Sequence, residues 1–81
     1  MSQQIEVKMT DEMLKGAYAN MAQIGHTGEE FVIDFISVFG EAGNMVVARV
    51  IVSPAHFKRL ISSMSDNLKK FEDDHGVVKD Q

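Results

Sequence analysis

The stretch Glu30-Phe31-Val32-Ile33-Asp34-Phe35-Ile36-Ser37-Val38-Phe39-Gly40-Glu41-Ala42-Gly43-Asn44-Met45-Val46-Val47-Ala48-Arg49-Val50-Ile51-Val52 decides the fold. Residues 30–39 and 45–52 are dense in β-branched and aromatic side chains, which suit a pleated, packed surface. Gly40-Glu41-Ala42-Gly43 between them reads as a turn. The segment therefore predicts an antiparallel hairpin. A loop at 40–43 sets its register and sorts its side chains onto two faces. One face carries Phe31, Ile33, Phe35 and Ser37 opposite Val52, Val50, Ala48 and Val46. The other carries Val32, Asp34, Ile36 and Val38 opposite Ile51, Arg49, Val47 and Met45, with Asp34 directly across from Arg49.

A sheet with one wet face alternates apolar and polar residues. The second face of this hairpin does not, because six apolar side chains surround its single ion pair. That patch is large for an exposed monomer surface. One helix can cover only the first face, so the N-terminal segment or a second copy of the chain must cover the second. The reading is a homodimer or higher oligomer whose interface is Val32, Asp34, Ile36, Val38, Met45, Val47, Arg49 and Ile51. Asp34 is read as a cross-strand partner that holds register, in preference to a catalytic carboxylate.

Downstream, Ser53-Pro54 is a helix start: a hydroxyl N-cap followed by Pro at the first helical position. Apolar residues at 57, 60, 61, 64, 68 and 71 then make one amphipathic face. His75 suits the negative end of the helix, and Gly76 stops it. About 20 helical residues span about 30 Å. A strand of eight to ten residues spans about 27–33 Å. One helix is thus long enough to cover the sheet.

Upstream, residues 17–25 fit helix or strand, and Gly25 with the turn His26-Thr27-Gly28-Glu29 favours a strand entering a hairpin. Thr10-Asp11-Glu12 marks a short helix that Gly16 ends. Ile5, Val7 and Met9 alternate with polar residues, which predicts a short strand over residues 4–9. The expected fold is α+β: an antiparallel meander of three to four strands followed by one long amphipathic helix. Residues 1–76 form one domain in this reading, and 77–81 a flexible tail.

Composition narrows the functional classes. The chain has 81 residues, 44% hydrophobic and 25% charged, with no Cys. A chain this short buries roughly 60% of its unfolded surface and needs a staple. Without Cys that staple is neither a disulfide nor a thiolate metal site, which again directs attention to self-association. The formal charge of −4 argues against a phosphate-binding protein. Met-Ser-Gln-Gln has neither a basic nor an apolar leader region, so a cytoplasmic protein with no membrane contact is expected.

Candidate chemistry is sparse. His26 lies near Glu29 and Glu30 in a turn, but lacks the repeated spacing of a metal motif. His56 reads as a surface residue of the first helical turn. No phosphate loop, nucleophile elbow or Ser–His–acid order is present. The expectation is no enzyme activity, no catalytic residue, no metal and no cofactor. Lys58, Arg59, Lys69 and Lys70 recur at a spacing that aligns them on one helix stripe, a candidate nucleic-acid contact. Asp66, Glu72, Asp73 and Asp74 share that helix, and no aromatic residues interleave with the bases. Six Met residues and the surplus apolar face also suit a peptide-binding, chaperone-like protein. The leading reading is a small oligomeric scaffold or binding protein. A nucleic-acid-associated regulator and a peptide holder are its alternatives.

Gly16-Ala17-Tyr18-Ala19-Asn20, Gly25-His26-Thr27, Glu30-Phe31-Val32-Ile33-Asp34-Phe35, Val47-Ala48-Arg49-Val50-Ile51 and Ser53-Pro54-Ala55-His56-Phe57-Lys58-Arg59-Leu60 together resemble a domain-of-unknown-function family of short bacterial and archaeal proteins. The likeness runs from Gly16 to about Glu72. It departs at Ala55 and Phe57, where that family's helix start usually has Glu and Ala. The resemblance implies a bacterial or archaeal origin and no particular activity. The order of sheet then long helix is also similar, by analogy, to small export chaperones that pair into oligomers.

Overall fold

A computed structural model describes residues 5–80. Its elements are α1 (Asp11–Lys15), β1 (Met21–His26), β2 (Phe31–Val38), β3 (Asn44–Val52) and α2 (Pro54–His75), with a turn of 3-10 helix at Gly40–Ala42. The three strands form one antiparallel sheet in the order β1-β2-β3. The strand richest in β-branched and aromatic residues, β2, is therefore central. It holds the buried core, Ile33 and Ile36, together with buried Ser37.

The α+β meander followed by one long helix is the layout the sequence predicts. The caps are as expected too. Thr10 Oγ1 accepts from the Met13 N–H at 3.1 Å, and Gly16 closes α1 with a positive φ. Ser53 Oγ accepts from the His56 N–H at 3.1 Å, with Pro54 opening α2 and Gly76 ending it. The β1–β2 turn is tied by Thr27, whose Oγ1 accepts from the Glu29 and Glu30 N–H groups.

Three expectations need correction. Residues 5–9 of the predicted N-terminal strand form no strand, and Gln4 lies outside the described residues. Ile5, Val7 and Met9 are at least 62% exposed. Alternation alone supplies no partner strand, and the sheet pairs only β1, β2 and β3.

The hairpin register also changes partway. Phe31↔Val52 through Phe35↔Ala48 pair as predicted, with Asp34 across from Arg49. A bulge then shifts the ladder, so that Ile36 faces Val46, Ser37 faces Met45 and Val38 faces Asn44. The loop Phe39–Gly43 is one residue longer than predicted. Gly40 and Gly43 turn it at positive φ, and the extra residue is taken up within β3 at Val47. A one-residue slip exchanges faces. Met45 therefore leaves the second face to stand opposite Ser37; Val46 takes the place of Val47 beside Ile36, and Asn44 that of Met45 opposite Val38.

The third correction concerns α2. It meets the sheet at its N-terminal end, where the Phe57 ring stacks on Phe31 with centroids 4.1 Å apart and planes 3° apart. No residue of α2 is buried. Equal length does not make a helix lie flat on a sheet, because the crossing angle is set by the side chains at the contact. Beyond this stacked pair, Leu60, Ile61 and Met64 face Ala22, Ile24, Ile33 and Phe35 across an open groove. The molecule is accordingly long, 52 × 35 × 34 Å, with a radius of gyration of 15.7 Å. A compact domain of this length has about 11.7 Å.

Candidate self-association surfaces

Two surfaces stand out. The first is the second face of the sheet. Its rows cross all three strands: Gly25–Val32–Ile51, Gln23–Asp34–Arg49 and Met21–Ile36–Val46. The middle row is polar. Arg49 Nε and Nη2 donate to the two Asp34 carboxylate oxygens at 2.7 and 2.9 Å, a bidentate pair. The side chain of Asp34 is only 15% exposed, whereas that of Arg49 is 63% exposed. Hydrogen bonds from the Arg49 guanidinium, aided by its charge, hold the Asp34 carboxyl below its usual range. The same pairing raises the pKa of Arg49. An ionised carboxylate locked in two hydrogen bonds is a poor proton acceptor. Beside it lies an open depression of about 550 Å³ that Gln23, Gly25, Thr27 and Val32 also line.

The predicted interface residues thus divide. Val32, Asp34, Ile36 and Val38 occupy alternate positions on β2, and Arg49 and Ile51 face them from β3. Ile51 is 55% exposed. Met45 falls on the opposite face, and Val47 sits in the bulge without a direct partner.

The second surface was read from sequence as covered. On the face of the sheet toward α2, a groove of about 190 Å³ runs between helix and strands. Ala22, Ile24, Ile33 and Phe35 line it from the sheet, and Phe57, Leu60, Ile61 and Met64 from the helix. No polar side chain enters it. The apolar stripe of α2 continues beyond the groove, and Ile61, Met64, Leu68 and Phe71 are each about half exposed. Its signal was present in the sequence, because 57, 61, 64, 68 and 71 alternate intervals of four and three. The reading missed it by assuming that the sheet satisfied the stripe.

Lys58, Arg59, Lys69 and Lys70 are all exposed on α2, as are Asp66, Asp73 and Asp74. The two signs are interspersed on the same helix. Among the described residues no cluster of His, Asp or Glu could hold a metal ion. His26 instead packs its ring 5.4 Å from Phe31, and His75 packs 4.8 Å from Phe71. No helix among them is long and apolar enough to cross a membrane.

Sequence reasoning also missed Asn20. Its side chain accepts from the Val38 N–H at 2.8 Å and donates to the Val38 carbonyl at 3.0 Å. It thereby extends the β1–β2 ladder past the end of β1. An Asn at a strand entry carries no sequence signal that distinguishes this role from an ordinary turn residue.

The family model described as "Protein of unknown function (DUF3467)" matches residues 1–80. Comparison with curated proteins and with solved structures finds no match.

Proposed function

Because the chain belongs to the DUF3467 family, whose description carries no activity, we propose its function from its surfaces: a small self-associating scaffold or binding protein, without catalysis of its own. One observation carries the reading. The protomer exposes 7650 Å². A compact monomer of 9.0 kDa exposes about 4,900 Å². The exposed surface carries large hydrophobic side chains on α1, on the segment before it and on α2. Over two protomers the surplus comes to about 5,500 Å², at the upper end of what permanent homodimers bury in total, about 2,000–5,000 Å² and above. The second sheet face, with Val46 and Asn44 in place of Val47 and Met45, is one surface for that contact, keyed by the Asp34–Arg49 pair. Short length supports the same reading, since two protomers can bury the apolar area that one leaves exposed.

The test is the mass of the full chain in solution, by light scattering at micromolar concentration. The expected result is twice the 9.0 kDa chain mass or a higher multiple. A species of 9.0 kDa that persists as concentration rises overturns the proposal.

A further inference from the structure

We infer that α2 pairs antiparallel with α2 of a second copy, along the stripe Ile61, Met64, Leu68 and Phe71. This rests on the self-association reading above and assigns it a second surface. Three observations specify the occupant.

The stripe has heptad geometry. Ile61 and Leu68 occupy one core position of the repeat, and Phe57, Met64 and Phe71 the other. Each stripe residue from Ile61 onward is 50–54% exposed, so one side of the seam lacks a partner.

Charge selects the direction. Lys58 and Glu72 occupy the same flanking position of the repeat, at opposite ends of the stripe. In an antiparallel pair these positions face each other, which sets Lys58 against the partner's Glu72 on both sides of the two-fold axis. A parallel pair gives neither contact and brings together two C-terminal turns rich in Glu72, Asp73 and Asp74. Glu72 has capacity for this contact, because only its Oε2 is engaged, accepting from the Val78 N–H at 2.9 Å. Opposed helix dipoles favour the same direction.

Shape agrees. The register that matches Met64 to the partner's Leu68 also matches Ile61 to the partner's Phe71. Ile61 and Met64 line the apolar groove against Ala22, Ile24 and Phe35. The partner's Phe71 is thus delivered beside a cavity of about 190 Å³ that no side chain of its own protomer fills.

The chain has no Cys, so single-cysteine variants report the geometry directly. In the antiparallel pair Ser65 lies beside the partner's Ser65, close to the two-fold axis. Ser65→Cys is expected to oxidise in air to a disulfide-linked species of twice the chain mass. Ile61→Cys is expected to remain uncrosslinked, because only a parallel pair sets Ile61 against itself. A complementary measurement uses charge. Lys58→Glu is expected to weaken the dimer roughly three- to tenfold, and Lys58→Glu/Glu72→Lys to restore it. An oligomeric protein in which Ser65→Cys does not crosslink, Ile61→Cys does, or the double swap fails to restore affinity overturns the helix pairing and leaves self-association standing. A monomeric parent chain overturns both.

Discussion

Asp34 and Arg49 show how a single pair can be read from sequence and given a role only by its geometry. Their opposition follows from the register, but the two short hydrogen bonds and the unequal exposure decide what they do. Asp34 is largely withdrawn from water, and Arg49 reaches over it from the solvent side. Removing Arg49 leaves an ionised carboxylate without its partner among apolar neighbours. Arg49→Met is therefore expected to lower the melting temperature at pH 7. The pH dependence has a definite sign. Asp34 titrates lower in the folded chain than in the unfolded one. Its contribution to stability is thus full above the unfolded carboxyl pKa, about 4, and is lost as pH falls through the folded value. Arg49 stays charged throughout. Thermal melts across pH 7 to 2 should show the gap between parent and Arg49→Met narrowing below about pH 4. A constant gap would show that the pair does not stabilise the fold.

At the scale of elements, local chemistry and pairing divide the work. Ser53, Pro54 and Gly76 place both ends of α2 by capping, because a cap acts on its own turn and needs no tertiary contact. The strand assignments of β2 and β3 were similarly legible from their β-branched composition. The bulge was not. It depends on where the loop closes, and one residue more in Phe39–Gly43 reverses the faces of Met45 and Val46. The entry to β1 is another feature that only pairing reveals, since Asn20 acts on Val38, eighteen positions away. Asn20→Ala removes both of its hydrogen bonds to that backbone. A loss of about 1–2 kcal/mol is expected in urea unfolding. A variant as stable as the parent would mean that the ladder does not need this extension.

For the whole molecule, the decisive quantity is surface. Among the described residues the folded protomer buries two large apolar side chains, Ile33 and Ile36, and leaves a long helix with an apolar stripe half in water. A core of that size is small for an independently stable domain. If stability comes from association, it must follow mass action. The melting temperature should then rise with protein concentration, by several degrees over a hundredfold range. A melting temperature independent of concentration would assign all of the stability to the single chain. The basic residues of α2 lead to no comparable expectation, because the acidic residues of the same helix are exposed with them.

The sequence by itself determined the hairpin of β2 and β3 followed by one long helix, the caps of both helices, and the strand pairing from Phe31 to Phe35. These are properties of periodicity and of neighbours within a few positions, and periodicity is written in the chain. Tertiary structure decided which apolar surface stays open. The sequence placed the surplus on the second sheet face and gave the helix stripe to the sheet. In the folded chain α2 meets the sheet through Phe57 on Phe31, and Leu68 and Phe71 remain half exposed. The reason is geometric. A hydrophobic period says which side of a helix seeks cover, whereas the packing of that helix on the sheet decides how much of the side is covered.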